Sequence, residues 1–145
     1  TGLISRWLFR HPVRIVDGDY VPERFYALAK GLEDLPERGL RCQKCIGHRL
    51  EETFRIALQQ PERPDYVCTT LTISPHKDAV FINTKGTELA QQYGIAWLPT
   101  DFKKKGGYQR SIVLSREYDL YRQNFCGCVY SRLEAERREK EMASS

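Results

Sequence analysis

The sequence has no long hydrophobic run. Its apolar stretches stay well below the roughly 18 consecutive apolar residues that a membrane-spanning helix needs, and its opening, TGLISRWLFRHPVR, lacks the long apolar segment of a secretory signal. It also contains no internal repeat and no low-complexity linker. These absences argue against a membrane or repeat protein, and we expect a cytoplasmic protein with no membrane partner.

A large excess of one charge is also missing. The net charge is +4 over 145 residues, with 41% hydrophobic and 29% charged residues. This balance is ordinary for a soluble domain with one hydrophobic core. It permits a polyanionic partner without requiring one. The clearest basic feature is Lys103, Lys104 and Lys105, which stand together in the loop-like segment FKKKGGYQR.

Short apolar runs, one of them rich in β-branched residues, alternate along the chain with stretches at helical spacing. We predict strands over 12–19, 66–73 and 95–99, and helices over 21–35, 42–60, 74–94 and 108–120. This order predicts an α/β fold, a parallel sheet covered by helices on both faces. We assign residues 1–131 to a single α/β domain and 132–145 to a charged, frayed helical tail.

The five cysteines are an odd number. In a reducing compartment this favours metal or redox use over disulfides. Cys42 and Cys45 are spaced i, i+3 at the start of a predicted helix, so both sulfurs face one side, and the helix N-terminus stabilises thiolate. Gly127 lets the chain turn so that Cys126 and Cys128 point to one centre. Cys68, inside a strand-like run, is expected to be a small buried hydrophobe.

Several chemistries suit two thiol pairs. A thioredoxin-like CxxC would use only one pair. A structural zinc site takes four thiolates, although zinc ribbons usually separate their pairs by about 15–20 residues. An iron–sulfur cluster takes cysteines from distant segments. The two pairs could also never meet. Spacing does not separate iron from zinc.

Longer segments carry a resemblance to a known family. These segments are GLEDLPERGLRCQKCIGHRLEET, TTLTISPHK, GTELAQQYGI and DFKKKGGYQRSIVLSREYDLYRQNFCGC. Over about residues 12–131 the sequence resembles the QueH family of epoxyqueuosine reductases. The resemblance implies a Rossmann-like domain that reduces epoxyqueuosine to queuosine at the wobble position of tRNA. It also implies a [4Fe-4S] cluster, an adjacent mononuclear iron and an external electron donor, and we expect a monomer.

The sequence departs from the family pattern near its start. Members of the family begin with a strand that ends in a Cys-Cys-x-x-Cys-like motif, and no such motif is present here. We therefore expect an N-terminally incomplete fragment that lacks about one βαβα unit. Loss of that unit would remove ligands from the second iron, on which the activity of this chain by itself would depend.

The resemblance implies roles for particular residues. The metal-site thiolates would be those of Cys42, Cys45, Cys126 and Cys128. We expect Tyr108, Arg110 and Arg122 to serve catalysis, Arg122 by lowering the basicity of nearby thiolates. For substrate binding we expect Thr69, Thr70, Ser74 and His76 at a strand-to-helix turn, together with Lys103, Lys104 and Lys105. We also expect Ser74 to be the N-cap of the following helix, which is compatible with substrate binding. The alternative to the enzyme is a zinc-stabilised or inactive RNA-binding α/β module.

Overall fold

The computed structural model describes residues 13–144. The helices within them are α1 (Pro22–Ala29), α2 (Leu40–Leu58), α3 (Ala79–Tyr93), α4 (Gly107–Glu117) and α5 (Val129–Ala143). Two short strands, β1 (Tyr66–Val67) and β2 (Ala96–Trp97), form a parallel pair. A 3₁₀ turn, Leu71–Ile73, follows β1. None of these helices is apolar over enough length to cross a bilayer, in the part of the chain that the structure describes.

The predicted α/β fold is confirmed, with a small sheet. β1 and β2 pair in the register Tyr66 with Ala96 and Val67 with Trp97, and α3 forms the crossover between them. The ladder continues one bond further, from the Leu98 amide to the Val67 carbonyl at 2.9 Å. This β1–α3–β2 unit is the framework against which α2 packs.

One face of α2 supplies much of the core. Ile46, Leu50, Phe54 and Ala57 recur at helical spacing and are all buried. They pack with residues of the β1–α3–β2 unit: Val67, Ile82, Leu89, Ile95 and Trp97. Burial of this apolar stripe, at about 25 cal/mol per Å² of apolar surface, fixes α2 beside α3 and thereby places the start of α2.

Helix α3 begins later than predicted. The Asp78 carboxylate caps it by accepting from the amides of Val80 and Phe81, at 2.9 and 3.1 Å. Ser74 instead accepts from the His76 amide at 3.2 Å in a local turn. The prediction that Ser74 caps this helix is therefore wrong. The predicted end is confirmed, because Gly94 closes the helix with φ +67° and its amide donates to the Ala90 carbonyl.

The strand predictions were too long. From Val13 to Val21 no regular element is present, and Pro12 of that prediction lies outside the described residues. After β1, the Thr69 hydroxyl accepts from the Leu71 amide at 3.2 Å, so a side chain takes the place of a ladder bond. Cys68 is exposed, contrary to the prediction, because successive residues of a strand face opposite sides and its neighbour Val67 faces the core.

The contact of α3 with β2 leaves no room for a side chain at Gly86. A Cβ built there would lie 2.2 Å from Cε2 of Trp97. We expect Gly86→Ala to lower the free energy of unfolding by about 1–3 kcal/mol through overpacking, even though alanine favours helix by about 1 kcal/mol. Urea unfolding followed by circular dichroism measures this change.

Gly47→Ala in α2 is the matched control. A Cβ there would meet only Cε of Lys85, at an ordinary 3.7 Å. It should stabilise the fold by up to about 1 kcal/mol. Equal effects of the two substitutions would contradict the close contact at Trp97.

Candidate metal centre

The first turn of α5 holds the loop Cys126–Cys128, called the CGC loop below. Gly127 has φ +89°, a conformation that favours glycine, so the expected turn between the two cysteines is confirmed. The Cys126 amide donates to the Ser131 hydroxyl at 2.8 Å, and the Ser131 amide donates to Sγ of Cys128 at 3.3 Å. Cys128 is thus the N-cap of α5. Ser131, the last residue of the predicted domain, thus contacts both cysteines.

The second thiol pair lies at the start of α2. Cys42 is buried and Cys45 is half-buried. Burial raises the pKa of the Cys45 thiol, the other cysteines at 126, 128 and 42 raise it further, and Arg49 acts in the opposite direction. Members of both pairs, Cys45 from the first and Cys126 and Cys128 from the second, line one cleft.

An open cleft of about 780 Å³ contains three of these cysteines. Its thiol side is formed by Cys45, Cys126 and Cys128. Facing residues come from the segment before α1, from α1, α2 and α5, and from the CGC loop: Tyr20, Phe25, Tyr26, His48, Arg49, Gln123, Phe125 and Arg132 among them. The cleft thus combines soft sulfur ligands with aromatic and cationic side chains.

Arg41, next to Cys42, connects the segments of the two cysteine pairs. Its guanidinium stacks on the Tyr130 ring at 5.0 Å and donates to the Leu32 and Glu33 carbonyls. The side chain is almost fully buried. Because Arg41 precedes Cys42 and Tyr130 follows Cys128 by two residues, this stacking holds the start of α2 against the start of α5.

Lys77 contacts a cysteine that the sequence did not connect with it. Its ammonium lies 2.8 Å from a Glu37 carboxylate oxygen and donates to Sγ of Cys126 at 2.9 Å. Burial lowers the pKa of Lys77, but the hydrogen bonds and charges of Cys126 and Glu37 outweigh it, so the pKa is raised. Neither partner stands at a motif spacing from Lys77, and the sequence carries no signal for the contact.

The donor set suits a thiolate-bound group. Within residues 13–144, no three Cys, His, Asp or Glu side chains are arranged so that they could hold a metal ion. Three thiols from the two pairs nevertheless line one open cleft, and a lysine ammonium donates to one of their sulfurs. Sulfur donors of this kind select zinc or iron–sulfur groups over Mg²⁺ or Ca²⁺.

Comparison with known proteins decides the family. The family model described as epoxyqueuosine reductase QueH matches residues 4–134. The chain belongs to the QueH family. An epoxyqueuosine reductase QueH of Streptococcus pyogenes is 44% identical to it over 119 residues, which are 82% of this chain and 46% of that protein.

Other members of the QueH family give the same picture. The protein of that name from Staphylococcus epidermidis is 40% identical over 82% of this chain and 50% of its own length. The one from Thermotoga maritima is 39% identical over 85% of this chain and 64% of its own length. The chain thus spans about half the length of the first two of these relatives.

In this QueH-family chain, the three residues expected to serve catalysis lie on α4 and just after it. The Arg122 guanidinium stands 5.9 Å from the Tyr108 ring centre and donates to the Ser111 carbonyl and the Ser115 hydroxyl. Arg110 is exposed on α4. None of the three is among the residues that line the thiol cleft, whereas Gln123, next to Arg122, is. Their catalytic role stays a prediction.

The strand-to-helix turn expected to bind substrate borders the thiols through Lys77. The hydroxyls of Thr69 and Ser74 accept hydrogen bonds from nearby backbone amides. Thr70 and His76 are exposed. The Lys77 amide donates to the Ser74 carbonyl at 3.2 Å. The turn therefore positions Lys77, and substrate binding by its other residues stays a prediction.

The three lysines of the basic loop are not equivalent. Both Lys103 and Lys104 form ion pairs with Asp101. Nζ of Lys103 lies 2.8 Å from Oδ1 of that carboxylate, and Nζ of Lys104 lies 3.5 Å from Oδ2. The Lys103 ammonium lowers the pKa of Asp101, burial opposes this, and Lys104 adds to the lowering. Lys105 is exposed and has no ion pair within the described residues. It is the lysine most available to a polyanion.

We expect Ser131→Ala to loosen the CGC loop. The substitution removes the acceptor of the Cys126 amide, and an unsatisfied buried amide costs about 1–3 kcal/mol. Urea unfolding should show that loss, and iodoacetamide should alkylate Cys126 and Cys128 faster, as measured by peptide mass spectrometry.

Ser144→Ala is the control at the other end of α5. The Ser144 hydroxyl donates only to the Lys140 carbonyl, on the exposed surface. Alkylation rates should stay at the wild-type value there. Unchanged rates in Ser131→Ala as well would show that Ser131 does not hold the cysteines.

Proposed function

We propose that this chain is part of an epoxyqueuosine reductase, an oxidoreductase that converts epoxyqueuosine to queuosine at the wobble position of tRNA. The observation that supports the proposal is the cleft lined by Cys45 of the first thiol pair and by Cys126 and Cys128 of the second. Membership of the QueH family names the reaction. We further propose that the protein is a monomer and acts in the cytoplasm, where its tRNA substrate is present.

The reaction requires an electron source that side chains do not provide. Removing the epoxide oxygen takes two electrons and two protons, breaks both C–O bonds, leaves a carbon–carbon double bond and releases water. Cys42, Cys45, Cys126 and Cys128 would hold a [4Fe-4S] cluster, with an adjacent mononuclear iron, that passes electrons singly from an external donor. Metal loading has to displace the proton of the Cys45 thiol, whose pKa is raised.

The remaining residues of the cleft would bind and orient the nucleoside. Tyr26 is half exposed in the wall formed by α1, and Tyr20 is almost fully exposed beside it. Aromatic faces of this kind stack on unpaired bases for about 1–3 kcal/mol per base. Arg49 and Arg132 lie on the same cleft and would bind phosphates. Tyr108, Arg110 and Arg122 are proposed to meet the RNA next to this wall.

The basic loop extends this surface. Lys103, Lys104 and Lys105 would contact the tRNA backbone, and Gly106, with φ +75°, lets the loop turn toward it. The turn residues Thr69, Thr70, Ser74 and His76 are proposed to contact the substrate near Lys77. The charges of these groups favour RNA over an uncharged small molecule.

We expect Cys128→Ala to abolish cluster binding without unfolding the chain. The chain, reconstituted anaerobically with iron and sulfide, should be brown, with about four irons per chain from the cluster and one more where the adjacent iron is bound. Reduction is measured by chromatography and mass spectrometry of nucleosides from tRNA, with dithionite as the electron source. The variant should lose both colour and product, because one sulfur ligand is gone.

Cys68→Ala is the matched control, since Cys68 is exposed and outside the cleft. It should keep wild-type iron content. A colourless wild-type chain loaded with zinc would instead support the RNA-binding module without redox activity. Wild-type iron content in Cys128→Ala would remove Cys128 from the site.

We expect the lysines of the basic loop to contribute unequally to tRNA binding. Lys105→Ala should reduce the slope of log affinity against log salt concentration by about 1, as measured by filter binding. Lys103→Ala should change the slope less, because Asp101 already offsets that charge. Equal slopes for Lys105→Ala and the wild type would exclude the loop as a phosphate contact.

A further inference from the structure

Lys77 is buried to an extent that requires partners. Its side chain is 7% exposed, on the turn between the 3₁₀ segment and α3. An ammonium removed from water costs several kcal/mol unless acceptors replace the water. Here two acceptors do so, one carboxylate and one sulfur. A lysine that only decorated the surface would not be placed in this way.

The two acceptors belong to distant parts of the chain. Glu37 lies in the loop before α2, 40 positions from Lys77, and Cys126 lies in the CGC loop, 49 positions away. One ammonium thus joins the segments that lead into α2, α3 and α5. Glu37 is half-buried, and its carboxylate shares the ammonium with the Cys126 sulfur, so its negative charge lies near that sulfur.

Hydrogen bonds and charges at a ligand sulfur change the energy of adding an electron. A donor or a fixed positive charge stabilises the reduced, more negative form of a thiolate-bound iron–sulfur group, and a nearby negative charge opposes reduction. Lys77 and Glu37 therefore act with opposite sign on the same sulfur. The ion pair lets the ammonium stay buried while only part of its charge is offset.

We propose that Lys77 is a positioning residue that holds Sγ of Cys126 and raises the reduction potential of the iron–sulfur group at the thiol pairs, while Glu37 holds the ammonium and moderates its effect. The inference rests on the proposed function, because it needs the thiols to bind a redox-active group. It assigns this part of the site to residues that neither the family comparison nor the sequence pattern identifies.

The test compares four chains reconstituted with iron and sulfide: wild type, Lys77→Met, Glu37→Gln and Lys85→Met. Lys85 is the control, because it also pairs with a carboxylate, Glu88 at 3.0 Å, but contacts no thiol. Midpoint potentials are measured by anaerobic titration followed by visible absorption and electron paramagnetic resonance. Iron content and circular dichroism are recorded for each chain.

Lys77→Met should make reduction less favourable by about tenfold, which is about 59 mV for one electron. Glu37→Gln should shift the potential the opposite way, since it keeps an acceptor oxygen and removes the negative charge. Lys85→Met should match the wild type. Loss of a merely structural contact would lower iron content without shifts of opposite sign.

The outcomes separate the two proposals. A wild-type chain that binds iron and sulfide, with variants at the wild-type potential, would overturn the role of Lys77 and leave the proposed function standing. A wild-type chain that binds no iron–sulfur group would overturn both. If Lys77→Met does not fold, Lys77→Gln decides instead, because it keeps a donor for the sulfur and removes the charge. A wild-type potential in that variant would overturn the role of Lys77.

Discussion

The buried ammonium of Lys77 is the interaction on which the geometry of the thiol site depends. A lysine in this position is stable only when Glu37 and Cys126 are both in place, because each replaces water that burial removed. The three segments concerned are consequently ordered together. The stacking of Arg41 on Tyr130 likewise joins the starts of α2 and α5. The two cations that hold the cysteine segments, Lys77 and Arg41, are thus not among the residues that line the cleft.

Three helices start around these sulfurs. Cys42 is in the first turn of α2, Cys128 caps α5, and Lys77 directly precedes the Asp78 cap of α3. The N-terminus of a helix carries partial positive charge and free amides, which favour anionic sulfur. The hydrophobic stripe of α2 and the α3–β2 contact at Gly86 supply the rigid part that brings these starts together.

The sequence predicted local features well and edges poorly. The helix around the first cysteine pair, the αL end of α3 at Gly94 and the turn at Gly127 follow from apolar spacing and glycine chemistry. The strand predicted from 66 stops after two residues because Thr69 bonds to the next turn, and the segment from Val13 pairs with no strand in the described residues. A β-strand exists only through its neighbour, whereas a helix satisfies its backbone within itself.

By itself, the sequence determined the family, the α/β order and the spacing within the two cysteine pairs, because each of these depends on short-range spacing or on contiguous motifs. Only the tertiary structure decided which side chains stand behind the sulfurs. Lys77, Glu37, Arg41 and Ser131 look like ordinary polar residues in the sequence, yet all become buried or half-buried at the thiol site. Their roles arise from distances between remote segments, and packing of α2 against the β1–α3–β2 unit sets those distances.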